Sequence, residues 1–154
     1  MSAPQPSLSA MLGLTTRFLV EVGGISLGGW AKCTGLSVTF KHLPIAEGGN
    51  YEYKTILPDI IEYKEIVLER AMSKESSQNV QNWLRGKVSS YMKQDFRGGG
   101  ASTAKITLCD SHGQKVADWS LRNVYPAGWD GPELSASTFG IAIEKLKLIH
   151  EGFL

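Results

Sequence analysis

Along the first patterned stretch of the chain, apolar and polar positions alternate with a period of two. Phe18, Val20 and Val22 share one side of an extended segment from Arg17 to Val22, with Leu19 and Glu21 on the other. Gly23-Gly24 follows, and a double glycine accepts the positive φ angles of a type I′ or II′ turn without steric cost. Ile25 to Trp30 is therefore expected to return as the partner strand. From Leu36 the alternation is again regular. Leu36, Val38, Phe40 and His42 fall on one parity and Ser37, Thr39 and Lys41 on the other, which predicts a strand covered on one face. Leu43 to Ile61 carries Pro44, Gly48-Gly49-Asn50 and Pro58-Asp59 around the extended piece Tyr51 to Leu57, and predicts a long loop or a projecting hairpin. Glu62 to Ala71 alternates through Tyr63, Ile66, Val67 and Leu68 and predicts a further strand.

The period then changes. Val80, Trp83, Leu84, Val88, Tyr91 and Met92 recur at spacings of three and four, which predicts an amphipathic helix with that stripe buried and Gln81, Asn82, Arg85, Lys87 and Lys93 on the wet side. Ser73 or Ser76 is placed to cap it, Glu75 suits its positive end, and Gly98-Gly99-Gly100 reads as a mobile connection beyond it. Lys105 to Asp110 and Lys115 to Val124 flank Ser111-His112-Gly113 as a hairpin, with Ile106, Leu108, Ala117, Trp119 and Leu121 supplying the alternation. Pro126 to Ser137 has loop composition but contains Trp129, so a docked loop holding Trp129, Gly131 and Pro132 is expected. In the last strand, Gly140 to His150, the apolar parity shifts between Ile141-Ile143 and Leu146-Leu148, which predicts a bulge or burial on both faces. About eight short strands and one helix result. The fold class is mainly β, a small β-barrel or sandwich with one flanking amphipathic helix.

Composition narrows the function more than the fold. A length of 154 residues suits one domain, here 17–154, preceded by a flexible arm over 1–16 that lacks the basic and apolar regions of a secretory signal. Sixteen Lys and Arg balance fifteen Asp and Glu, so there is no basic field for sequence-specific nucleic acid to use. No apolar run approaches the ~20 residues needed to span a bilayer. Cys33 and Cys109 lie in no clustered pattern, which argues against a disulfide framework or a zinc site and for reduced thiols in a protein made in a reducing cytoplasm.

Catalytic signals are missing from the sequence. There is no G-x-S-x-G and no H-E-x-x-H, and His42, His112 and His150 fall in a strand, a turn and a chain end. Gly98 to Lys105 has the glycines of a phosphate-binding loop, but a strand follows where a helix N-terminus would have to supply donors. The chain is read as non-enzymatic, with no catalytic, cofactor-binding or metal-ligating residue assigned. Trp83 and Trp119 read as core, whereas Trp30, Trp129, Tyr51 and Tyr53 are open between ordinary docking and a buried interface. A small-ligand-binding β-barrel is one further reading.

Several blocks resemble the phage tail tube family that serves contractile tails, R-type bacteriocins and extracellular contractile injection systems. They are Phe18 to Val22 with Gly23-Gly24, the turn Glu47-Gly48-Gly49-Asn50, Leu57-Pro58, R-N-V-Y-P-A-G-W-D-G-P-E-L from Arg122 to Leu134, and I-A-I-E-K-L-K-L-I-H-E-G-F from Ile141 to Phe153. The sequence departs from the family pattern at Asp59 and at Ala71-Met72. The resemblance implies a structural, self-assembling subunit. Its hexameric rings would stack into a hollow inner tube inside a sheath, as part of a phage tail or tail-like particle released on lysis. It implies sheath and baseplate or spike proteins as partners, and a payload in the lumen. Glu47, Gly48, Gly49, Asn50, Tyr51, Tyr53 and Leu57 are then the expected contact to a neighbouring subunit or ring, and Gln81, Arg85 and Lys93 the expected sheath-facing side of the helix. A bulk tube subunit and a tube-initiating or baseplate adaptor ring both fit the resemblance.

Overall fold

A computed structural model describes residues 17–92, 102–137 and 140–154. The expected N-terminal arm, Lys93 and the Gly98-Gly100 connection lie outside the described residues. Strands β1 (Arg17–Val22) and β2 (Ile25–Trp30) meet at Gly23 and Gly24, whose φ angles of 58° and 82° give the type I′ turn that the double glycine predicts. There follow β3 (Lys32–Thr34), β4 (Val38–Ile45), β5 (Thr55–Tyr63), β6 (Ile66–Ala71), helix α1 (Lys74–Met92), β7 (Ser102–Cys109), β8 (Lys115–Asp130) and β9 (Ile143–Ile149). Seven strands form one antiparallel sheet in the order β2-β1-β7-β8-β9-β6-β3, while β4 and β5 pair only with each other.

The seven-stranded sheet folds over itself as a sandwich. Residues up to Val124 of β8 pair with β7, and residues from Tyr125 onward pair with β9, so this one strand belongs to both halves. The changeover falls at Asn123, whose φ of 50° is a left-handed bend that asparagine tolerates. At the opposite edges β2 and β3 are separated by Ala31 alone, whose N–H donates to the Glu69 carbonyl at 3.0 Å. The two halves thus face each other without a continuous ladder closing them into a barrel. Between them lie Val20, Val22, Leu27, Trp30, Ile66, Leu68, Ile106, Leu121, Val124, Leu146 and Leu148, all buried. Removing each such aliphatic side chain from water contributes roughly 1.5–3 kcal/mol, so the interior holds the fold together and is filled by side chains.

One polar cluster crosses this core. The Arg70 guanidinium donates from Nε to Glu144 at 2.7 Å, from Nη1 to the carbonyls of Leu27 and Gly29, and from Nη2 to the carbonyl of Ser76. Glu144 also accepts from the Ser77 hydroxyl at 2.9 Å and from the Trp129 indole at 3.1 Å. The guanidinium lies 3.9 Å from the centroid of the Trp30 ring. A buried charge is tolerated only when paired and fully hydrogen-bonded, and this one ties β2, β6, β8, β9 and the start of α1 together.

The structure corrects several expectations. The buried side of α1 is Ser77, Val80, Trp83 and Lys87, whereas Val88, Tyr91 and Met92 are exposed. Leu84 packs at the edge of the core, so the stripe holds for its first half and rotates off the sheet afterwards. Glu62 to Ala71 is two strands, broken at Lys64 and Glu65. The stretch expected as a loop from Pro126 is instead the second half of β8 as far as Asp130, because the register shift between Pro126 and Gly128 lets the ladder pass a residue without an N–H. The last strand begins at Ile143 and carries neither a bulge nor two buried faces. Leu146, Leu148 and Glu144 point inward and Ile143 and Ile149 outward.

Candidate functional site

The β4–β5 pair leaves the body as an arm. It continues the β3–β6 pair, in which Thr34 opposes Val67, beyond a joint at Gly35 and Glu65. Gly35 has φ 93°, and a Cβ placed there would stand 1.9 Å from the Glu65 carbonyl oxygen, so only glycine lets the two backbones touch. The base of the arm is held by aromatic contacts. Tyr63 packs edge-on to Phe153 with centroids 5.1 Å apart and against His150 at 5.4 Å. The segment carrying those rings is fixed in turn to the bend in β8, where the Arg122 N–H donates to the Gly152 carbonyl at 2.9 Å, the Arg122 carbonyl accepts from the Glu151 N–H at 2.8 Å, and Arg122 Nη1 donates to the main-chain oxygen of Leu154 at 2.6 Å.

Burial holds the His150 imidazole below its ordinary value of 6.5; a backbone hydrogen bond at Lys64 opposes this and the charge of Arg122 adds to it. The Gly152 N–H donates to its Nδ1 at 3.1 Å, a bond that an unprotonated nitrogen accepts.

Register assigns the arm two faces. Leu43 opposes Leu57 and Ile45 opposes Thr55 on one face, with the Lys41–Glu62 ion pair nearer the base at 2.6 Å. On the other, Phe40 opposes Ile61, His42 opposes Pro58 and Pro44 opposes Ile56. A register irregularity between Phe40 and His42 sets Lys41 against both Asp59 and Ile60, and so keeps this apolar parity intact along the whole arm. Phe40 is 62% exposed and Ile56 63%, and Leu43, Leu57, Ile60 and Ile61 are exposed as well. A two-stranded ribbon is marginal in water, and one that exposes this much apolar surface on both faces is the signature of an interaction element.

The tip is ordered by its own bonds. The Asn50 N–H donates to the Glu47 carbonyl at 3.2 Å across Gly48-Gly49, with Gly49 at φ 87°, the glycine position of a type II turn. The Asn50 side chain then accepts from the N–H groups of Glu52 and Tyr53, and the Thr55 hydroxyl donates to Glu47 at 3.0 Å. This presents Tyr51, 98% exposed, and Tyr53 outward. The structure therefore places Glu47, Gly48, Gly49, Asn50, Tyr51, Tyr53 and Leu57 together on one arm. Sequence reading missed Phe40, Leu43, Ile56, Ile60 and Ile61, whose alternation looks the same whether a strand is covered by its own domain or by another molecule.

The other expected site residues lie elsewhere. Trp129 is on β8, packed against the core with its indole on Glu144, and Gly131 lies against its ring; Pro132 follows in the exposed connection to β9. On α1, Gln81 is half-buried and Arg85 exposed. Cys33 has its thiol pushed up to about 11 by burial, and Cys109 is buried. Among the described residues, no group of three or more His, Cys, Asp and Glu side chains is gathered to hold a metal ion, and no helix is long and apolar enough to cross a membrane.

A family model described as T4-like virus tail tube protein gp19 matches residues 14–154. Among solved structures, a chain of the sheath–tube complex of the extracellular contractile injection system PVC, in its extended state, aligns with a TM-score of 0.69 and 17% identity over 96% of each chain. A chain of the anti-feeding prophage baseplate, six-fold symmetrised, aligns with a TM-score of 0.65 and 23% identity, covering 99% of this chain and 95% of that one. A chain of the PVC sheath/tube terminator aligns with a TM-score of 0.66 and 17% identity, covering 98% and 95%. These likenesses identify the fold. No curated protein sequence matches.

Proposed function

The chain belongs to the T4-like virus tail tube protein gp19 family, and from that premise we propose that it forms hexameric rings that stack into the inner tube of a contractile phage-tail-like injection system. The observation that supports this reading most is the β4–β5 arm. A monomer would leave Phe40, Leu43, Ile56, Leu57 and Ile61 in water, and rings stacked on one another would cover them. With apolar residues on both sides, the arm is suited to lie between two neighbours rather than on the surface of one.

The arm contact is the joint of the assembly, and the tip residues Glu47 to Asn50 with Tyr51, Tyr53 and Leu57 carry it. The outward side of α1, with Gln81 and Arg85, faces the sheath. The segment Trp129, Gly131 and Pro132 is a docked support, held through the indole bond to Glu144. The role is mechanical, as a conduit inside the sheath in a phage tail or tail-like particle, with baseplate proteins at one end.

Sedimentation velocity tests the arm directly. Wild-type protein is expected to sediment as species that grow with concentration, and a Phe40→Ser/Ile56→Ser variant as a folded monomer with unchanged far-UV circular dichroism. A wild-type protein that stays monomeric at high concentration would refute the reading.

A further inference from the structure

The helical period predicts Val88, Tyr91 and Met92 inside, yet the structure leaves them in water, Val88 at 59% and Met92 at 82% exposure. Ile25, across the small recess that Ser90 also lines, is exposed beside them. A second exposed apolar group lies at the other end of α1. There the Met72 N–H donates to the Ala142 carbonyl at 2.8 Å, which holds Ile141, 78% exposed, and Ile143 next to the start of the helix. At ~1.5 Å per residue, the helix from Lys74 to Met92 keeps the two groups about 27 Å apart.

The two ends differ in shape. The C-terminal end is a convex run of side chains, whereas Ile141 and Ile143 wall a recess of about 610 Å³ together with Pro132. A further recess of about 260 Å³, lined by Ala31, Lys32 and Ala71, shares Glu69 and Ile143 with it, so the two form one groove. The ends differ in charge as well. Along the groove Glu69 pairs with Lys32 and Lys145 at 3.3 Å each, Asp130 with Lys147 at 3.2 Å, and Arg70 with Glu144. Glu133 stands outside these pairs on the exposed rim. On α1 the charges after Glu75 are Arg85 and Lys87. Lys87 is buried, with its nitrogen 3.4 Å from the Ser102 hydroxyl, so Arg85, exposed one turn before Val88, is the cation this end presents.

We propose that copies within one ring join through α1, the Val88–Met92 end of one copy seating in the Ile141–Ile143 groove of the next with Arg85 facing Glu133. The inference rests on the chain forming rings, and it supplies the lateral contact that an arm reaching from ring to ring does not. Gln81 and the first turns of α1 keep their side toward the sheath, with Arg85 at the border.

A ring needs a contact between two different surfaces of one chain, because a self-complementary patch stops at a dimer. The two ends of α1 meet that need, and their separation keeps a chain from filling its own groove. The unbranched thioether of Met92 adapts to an irregular groove, and Tyr91 adds a rigid apolar body with a polar rim. The charges along the groove are already paired within the chain, so covering it strands none of them, and Glu133 meets a cation at the rim. An arm in the same groove would bring Glu47, Glu52, Asp59 and Glu62 against Lys41 and Lys54, a net negative partner for Glu133.

Covalent capture tests the contact. Met92→Cys/Ile141→Cys protein is assembled, checked for rings by electron microscopy, oxidised and run on a denaturing gel without reductant. A disulfide demands Cβ atoms ~4 Å apart, so the two cysteines of one chain cannot pair with each other. The expected result is a covalent ladder that ends at the hexamer, since each link joins one copy to the next around a closed ring. Rings that give no ladder, a dimer alone, or products longer than the ring overturn the lateral contact and leave the ring reading standing. Tyr51→Cys/Ile141→Cys protein, run in parallel, is expected to give at least about tenfold less linked product. The reverse ratio puts the arm in the groove and overturns the inference. Charge reversal reads the same contact without cysteines. Arg85→Glu is expected to lower the fraction of protein in rings at least about fivefold, and Arg85→Glu/Glu133→Arg to restore it. A double variant that stays as poor as the single also overturns the contact, whereas wild-type protein that forms no rings overturns both readings.

Discussion

The Nε of Arg70 stands 2.7 Å from Oε1 of Glu144, and both side chains are buried at 5% and 0% exposure. Neither residue is near the arm, yet the pair joins the strands of both halves to the first turn of α1. Removing one partner leaves an uncompensated buried charge. Glu144→Leu is therefore expected to cost about 3–5 kcal/mol, measured by urea unfolding in the monomeric Phe40→Ser/Ile56→Ser background. The double variant Arg70→Met/Glu144→Leu is expected to be more stable than Glu144→Leu alone, since no lone charge remains. A double variant less stable than the single would contradict this account of the pair.

Gly35 and Gly49 both have positive φ, at 93° and 87°, but only Gly35 has backbone against the place a Cβ would occupy. Gly49→Ala is expected to cost about 1–2 kcal/mol, the left-handed penalty alone. Gly35→Ala must in addition push apart the strands at the root of the arm. Its unfolding midpoint is expected to fall well below that of Gly49→Ala; equal midpoints would mean that the joint yields easily.

The pH dependence follows from His150. Its folded pKa lies below 6.5, so the unfolded chain binds the proton more readily in the window beneath that value. The stability that His150 contributes is present above 6.5 and is lost as pH falls through its folded pKa. Urea midpoints between pH 7 and 5 are expected to decline more steeply for wild type than for His150→Asn, in the same monomeric background. Parallel curves would remove His150 as the cause.

Much of the architecture is legible in the sequence because its rules are local. The Gly23-Gly24 turn, the Asp110–Gln114 hairpin and the period-two strands follow from backbone sterics and alternation, and the structure keeps them. What the sequence hides is long-range. Nothing local announces that Glu144 is inward, because its reason is Arg70, 74 residues away along the chain. Lys87 looked wet and Val88 looked buried because periodicity gives a helix two sides without saying where the sheet beneath it ends. For the candidate site, the turn Glu47-Gly48-Gly49-Asn50 and the exposed tyrosines could be read directly. The apolar faces around Phe40 and Ile56 could not, since a strand that waits for another molecule has the alternation of one that is already covered.

The central claim is that this chain builds a tube, and negative-stain electron microscopy of the purified full-length protein at high concentration tests it most directly. The account predicts six-fold rings in end-on views and stacked rings in side views, with the Phe40→Ser/Ile56→Ser variant showing neither. A field of dispersed small monomers at every concentration would contradict it.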